Sequence, residues 1–347
     1  MIHFFPTFSR EAAATPYGEA LRQSGVPHCI FAGEVSFSYR TRTGLLLRCI
    51  PHLAWFAARS AVRSLLLTRP APDVVVLGSD IEIIIFALAR ALTRRRTRIV
   101  LNSFIYTARG ASWVNRLRRI YFRFVLSQSD VAVVHSQLEA ERYRALFALP
   151  HTRFVFIPWG TTIALRQQVM GDSRIAAGED GVVVAAGKSG RDYRTLFSAM
   201  AELPAVLRVI CDYEGALAGA EPGKRTVVLS ECHGIEYFQE LARAAVVAIP
   251  LSVDDISAGQ MVLIQSMGMG KAIVASRTPG ICDYVTDGHD ALLVPCGDPD
   301  ALRAAIALLL GDRTLRDRLG YNARATFEAN LSTEGHMRKL LATINAA

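Results

Sequence analysis

The chain has 347 residues, room for about two domains, and 51% of them are apolar, enough for substantial cores. No uncharged apolar run reaches the ~18 residues a membrane-spanning helix needs, and no basic residue precedes the short apolar run at 1–6, so no secretory leader is expected. The net charge of +8 is uneven: residues 1–160 hold 21 Arg, no Lys and 9 acidic residues, whereas the remainder holds 18 basic and 22 acidic residues. Dense basic runs at 94–98 and 116–123 suit an anionic partner: membrane phospholipid, a lipid-linked phosphate or nucleic acid. The six cysteines are scattered, with no C-x-x-C pair and no zinc spacing, which reads as reduced thiols in a cytoplasmic protein.

Short β-branched runs alternate with longer helical patterns. Residues 73–77, 98–101 and 130–134 read as buried parallel strands, and 82–92, 116–126 and 138–147 as helices. A second series places strands at 181–186, 208–211, 226–229, 246–249, 272–275 and 291–294. Its helices are expected at 193–203, 235–245, 258–269, 281–285 and 299–310. This rhythm predicts an α/β protein with two Rossmann-like, doubly wound parallel sheets, each covered on both faces. The Pro/Gly segment 157–162 (IPWGTT) reads as the linker. The expected division is an acceptor-binding domain at 1–162, a nucleotide-sugar-binding domain at 163–330, and a helix at 331–347 crossing back to the first.

Parallel sheets bind ligands beyond the carboxyl ends of their strands, so the loops there carry the chemistry. Gly187-Lys188-Ser189-Gly190-Arg191 follows a strand and opens a helix: glycines admit a ligand to the backbone, and Lys188 and Arg191 supply positive charge. It is either a phosphate cradle or a solvated basic turn. Ser257-Ala258-Gly259-Gln260 precedes an apolar helix carrying Met261 and Gln265. Gly259 lets a ligand approach the positive end of that helix, and the amide of Gln265 suits ribose hydroxyls; a plain buried helix is the other reading. His233-Gly234 follows a strand and suits a base or sugar, or is an ordinary loop pair.

Together these segments resemble the carboxyl half of family-four glycosyltransferases of the GT-B fold. The matching elements, in family order, are Ile157-Pro158-x-Gly160, the loop at 187–191, His233-Gly234, Ile249-Pro250-Leu251-Ser252, the helix at 259–267, the strand from Gly270 through Ser276, Gly280 and the stretch 292–298. The resemblance implies two domains facing a cleft and a retaining, metal-independent transfer of sugar from a nucleotide-sugar donor, a UDP-sugar above all. Lys188, Arg191, Asp255 and Ser257 would serve catalysis, while Gly187, His233, Gly234, Gly259, Gln260, Met261 and Gln265 would join Lys188 and Arg191 in holding the donor. No resident cofactor is implied. The acceptor, a saccharide, glycolipid or small molecule, would meet the first domain near Tyr17, Gly18, Asn102, Ser103, Tyr106 and Arg109.

The chain departs from the family where it usually has two glutamates eight positions apart; Ser257 and Gln265 stand there. Asp254 or Asp255 lies just upstream as a substitute. A histidine expected after an early strand is replaced by Asn102-Ser103. Two other readings therefore stand beside transfer: a paralogue that only binds nucleotide sugar or scaffolds a partner, and a nucleotide-sugar epimerase. Nucleic acid is not the expected partner, since the arginines form no recognisable binding module. The stretch 113–126 (WVNRLRRIYFRFVL) either lies in a lipid headgroup layer, making the protein peripheral on the inner membrane face, or is a surface helix with a solvated basic face.

Overall fold

The computed structural model describes residues 1–5, 16–31, 50–106, 112–163, 166, 169, 179–212, 214–252 and 257–346. Asp254, Asp255 and Arg109 lie outside these residues, as does the side chain of Tyr17. The chain forms two compact units, Met1–Ile157 with Met337–Ala347, and Pro158–His336.

Among the described residues, the first unit holds the parallel sheet β2-β1-β3-β4-β5-β6. Its strands are β1 Ile2–Phe4, β2 His28–Ile30, β3 Val74–Leu77, β4 Arg98–Leu101, β5 Val131–Val134 and β6 Arg153–Phe156. Its helices are α1 Pro16–Gln23, α2 Ile50–Ala61 (running into a π-helical turn, Val62–Leu67), α3 Asp80–Thr93, α4 Trp113–Ser127 and α5 Gln137–Phe147. Period-two alternation divides the strands between two cores. Val75, Leu77, Ile99, Leu101, Ala132 and Val134 pack with Phe86, Leu126, Tyr143 and Phe147 from the helices. Val74, Val76, Val100, Val131 and Val133 face the other way, onto Leu21 and onto Met337, Leu340, Leu341 and Ile344. Strands buried on both faces read as unbroken apolar runs, which is why β3 to β5 are visible in the sequence.

The second unit holds β7 Val182–Ala186, β8 Val206–Ile210, β9 Thr226–Leu229, β10 Val246–Ile249, β11 Ala272–Ser276 and β12 Leu292–Val294. The order is β12-β11-β10-β7-β8-β9, all parallel, the doubly wound order of nucleotide-binding sheets. Its helices are α6 Tyr193–Ala201, α7 Gly234–Arg243, α8 Gln260–Gly268, α9 Pro279–Cys282, α10 Pro299–Gly311 and α11 Arg313–Thr326. The last helix, α12 Thr333–Asn345, begins in this unit and ends in the first.

The two units divide at 157/158 and 336/337. The reason is local pairing of the two connections. Thr161 bridges to Ser332, Thr162 Oγ1 lies 2.7 Å from Thr333 Oγ1, and the Pro158 carbonyl accepts from His336 Nδ1 at 2.8 Å. A Cβ on Gly160 would collide with His336 Cβ and the Ser332 carbonyl, so the close approach requires glycine.

Candidate functional site

In a doubly wound sheet the ligand crevice opens where the strand order reverses, because the loops on either side lead to helices on opposite faces. In the second unit that point lies between β7 and β10. The loops after these strands are stitched together. Arg191 bridges antiparallel to Leu251, Asp192 N–H donates to the Pro250 carbonyl at 3.1 Å, and Ser252 N–H donates to the Gly190 carbonyl at 3.1 Å. Gly259 then packs on the same segment. It caps α8 at φ +83°, and a Cβ there would sit 3.1 Å from both Ile249 Cγ2 and Leu251 Cδ1. The positive φ favours glycine, and a side chain would press on both neighbours.

The consequence is electrostatic. Gly259 has no side chain to cap α8, so within the helix the N–H groups of Met261 and Val262 meet no acceptor. They and the helix dipole make a positive pole beside the switch point. At α6 the opposite holds: Asp192 accepts from Thr195 N–H at 3.0 Å and from its hydroxyl at 2.6 Å. The helix end expected to supply donors next to the 187–191 loop is thus already met by a carboxylate.

Arg191 hydrogen-bonds to its own loop. Its Nε donates to the Ala186 carbonyl at 2.8 Å and its Nη1 to the Ser189 carbonyl at 2.9 Å. Its guanidinium lies where a Cβ on Gly187 (φ +98°) would need to be. Burial pulls its pKa below the ordinary value, with partial relief from Tyr193 and Tyr237. Arg191 therefore braces the loop from beneath, whereas Lys188 is exposed and without an ion-pair partner among the described residues.

Tyr193 O–H donates to the Gly187 carbonyl at 2.5 Å, and Tyr237 O–H donates to Gln265 Oε1 at 2.8 Å. Burial raises both phenols far above their ordinary value, so both remain donors at neutral pH. The carbonyl of Gln265, expected to receive ribose hydroxyls, thus already accepts one hydrogen bond and keeps one lone pair and its NH2 donors. Gln260 is buried and donates through Nε2 to the Gly280 carbonyl at 3.3 Å, so it pins α9. Ser257 Oγ is buried without a partner, close to Gly280. Met261 is exposed on the first turn of α8. His233 is exposed at the start of α7, its Nε2 3.4 Å from Asp212 Oδ2, and Gly234 follows at φ +56°.

In the first unit the order reverses between β1 and β3. Gly18 is buried in α1. Asn102 and Ser103 leave β4 half-buried, and Asn102 Oδ1 is buried without a partner. Tyr106 is buried. It lies in the aromatic core, its N–H donating to the Tyr143 hydroxyl at 2.8 Å, the Tyr143 O–H donating to its carbonyl at 3.0 Å, and its ring under the Arg118 guanidinium at 4.8 Å. Behind Ser103 lies a fully buried histidine that follows β5, His135. His135 Nδ1 donates to the Ile157 carbonyl at 3.0 Å, and its Nε2 lies 3.0 Å from Ser103 Oγ. A carbonyl only accepts, so in neutral imidazole Nδ1 carries the hydrogen and Ser103 O–H donates to Nε2. The signal was present as the histidine ending the run VAVVH, but only strand adjacency joins it to Ser103.

Two doubly wound six-stranded parallel sheets in one chain define the GT-B class. A family model described as glycosyl transferases group 1 matches residues 194–312, and one described as glycosyl transferase 4-like domain matches residues 11–160. The chain belongs to this family of glycosyltransferases. Among curated relatives, lipopolysaccharide core biosynthesis glycosyltransferase LpsD of Rhizobium meliloti (strain 1021) is 39% identical over 71 residues, 20% of this chain and 21% of the relative. The matched stretch thus spans about a fifth of that relative's length. Among solved structures, sucrose-phosphate synthase from Thermosynechococcus elongatus superposes with a TM-score of 0.69 at 19% identity, over 99% of both chains. Anabaena Alr3699/HepE, solved with UDP and glucose, superposes with a TM-score of 0.59 at 14% identity, over 100% of this chain and 99% of its own.

Proposed function

We propose that the chain transfers a sugar from a nucleoside-diphosphate sugar, a UDP-sugar, to a saccharide, lipid-linked or small-molecule acceptor, with retained anomeric configuration. The observation that carries this reading is the pairing of the loop bearing exposed Lys188 with the 250–252 segment against which Gly259, at the start of α8, packs, at the switch point of the second unit. As the glycosidic bond breaks, negative charge grows on the departing diphosphate. Fixed N–H dipoles and an ammonium stabilise that charge most strongly in the transition state. They supply the role a cation would otherwise fill, so the reading is metal-independent, with no resident cofactor. Retention follows if the acceptor hydroxyl attacks from the face the diphosphate leaves. The UDP in the Anabaena structure and the core-biosynthesis role in the name of LpsD support the donor and acceptor classes. The acceptor would meet Asn102 and Ser103, and the enzyme would work on the cytoplasmic side.

A thermal-shift panel of nucleoside diphosphates tests the donor. A bound ligand at about a hundredfold excess over its dissociation constant stabilises by roughly 3 kcal/mol. Stabilisation by UDP above the other diphosphates is expected, and no shift with any would refute the donor reading. Binding without transfer is the second reading, favoured by Ser257 and Gln265 in place of carboxylates. Donor turnover that Lys188→Ala abolishes would exclude it.

A further inference from the structure

Helix α4 is apolar on two sides. Its inner side packs into the unit through Val125 and Leu126, with Phe122 against Phe104 and Tyr106. Arg118 is turned inward as well, over the rings of Tyr106 and Phe122. On the opposite side, at helical spacing, stand Trp113, Leu117, Ile120 and Phe124, exposed by 73%, 55%, 56% and 54%. An amphipathic surface helix places charge at its outward pole; here that pole is a stripe of four large apolar side chains.

Arg116, Arg119 and Arg123, all exposed, run beside the stripe, and the helix carries no acidic residue. The neighbouring α3 also exposes Leu88 and Leu92 and ends at exposed Arg94. The stripe also has a place in the unit. Tyr121 O–H donates to Asp80 at 2.8 Å, at the start of α3 just past the carboxyl end of β3. The start of α4, which follows the loop leaving β4, and its middle at Tyr121 therefore lie toward the carboxyl edge of the sheet, the edge that bears Asn102 and Ser103.

We propose that the outward face of α4 docks on a lipid surface with acidic headgroups: Trp113, Leu117, Ile120 and Phe124 enter the acyl boundary, and the three arginines meet the phosphates. A second copy of the chain fits less well, because a two-fold contact between these helices brings arginine rows against each other. A lipid bilayer offers apolar depth and negative charge at one surface, matching the stripe and its flank together. The further consequence, that the acceptor is held at that membrane, rests on the transfer reading above; the docking does not.

The test is co-sedimentation with phosphatidylglycerol–phosphatidylcholine vesicles and with phosphatidylcholine vesicles alone. The protein is expected to bind the first strongly at low salt and the second weakly. The double variant Leu117→Ser/Ile120→Ser is expected to lose roughly tenfold in partitioning. Arg116→Gln/Arg119→Gln/Arg123→Gln is expected to lose binding and its salt dependence together. Unchanged melting temperatures show that both variants fold, since every altered side chain is exposed. No binding by the wild type, or wild-type binding by the double variant, overturns the proposal. So does a dimer that the double variant dissolves while vesicles go unbound, which would make the partner a second copy. UDP stabilisation in the same samples reports on the donor site separately, so loss of either reading is visible without the other.

Discussion

Lys271 gives a quantitative handle on the second unit. It precedes β11 at the amino end of the strand, away from the carboxyl-end loops, and is only 8% exposed. Burial, and then the nearby Arg316, bring its pKa from 10.5 down to about 8, against a partial offset from Asp317. The folded chain therefore binds this proton less tightly than the unfolded chain. Between pH 8 and 10.5 the unfolded state holds more protons, so stability rises with pH across that window. Below pH 8 both states are protonated, and the whole cost of the buried charge is present. At about 1.4 kcal/mol per pH unit, that cost is roughly 3 kcal/mol. Lys271→Met keeps the length and removes the charge. The variant should be more stable by up to about 3 kcal/mol at pH 7, and the gain should vanish as the pH passes 10.5. Calorimetric unfolding of both proteins across this range measures it. A variant no more stable at pH 7, or a gain that persists at pH 11, would refute the reasoning. UDP stabilisation should be the same in both proteins.

Lys188→Ala should leave the melting temperature unchanged, because the side chain is exposed, and lower kcat by roughly a hundredfold or more, the scale of a lost transition-state charge contact; steady-state kinetics with a donor sugar measures this. Gly259→Ala should cost about 1–3 kcal/mol from positive φ and overpacking against Ile249 and Leu251, and weaken nucleoside-diphosphate binding by displacing the first turn of α8. Calorimetric titration beside a denaturation curve separates the two effects. Tyr237→Phe should cost about 1 kcal/mol of stability and release Gln265 Oε1 toward the ligand. Ribonucleoside affinity should then shift relative to the 2′-deoxy analogue, and an unchanged ratio would show that Gln265 does not face the ribose.

The elements most legible in the sequence were those whose physics is local. The runs VVVL at Val74–Leu77 and VVAI at Val246–Ile249 are buried on both faces, so they announce strands without knowledge of their neighbours. The Ser257–Gly259 stretch before an apolar run likewise announced a helix start. The short strands β1 and β2 and the strand β6 were not read, because three or four residues beside charged or proline-containing segments carry too little pattern. At the site, sequence supplied the loop, its glycines and its cations, but not their division of labour.

The sequence by itself determined two doubly wound units, the family, and a basic first half. Periodicity, glycine placement and charge count are properties of adjacent residues, and they survive without coordinates. Tertiary structure decided which groups are available. Arg191 binds its own loop, Asp192 caps one helix while Gly259 offers no side-chain cap to another, and Tyr237 donates to the Gln265 carbonyl. It joined His135 to Ser103 across neighbouring strands, and it turned Arg118 inward while leaving Trp113, Leu117, Ile120 and Phe124 outward. Each is a pairing between residues far apart in the chain or a choice of helix face. Hydrogen-bond capacity and burial are fixed only when the chain has closed on itself.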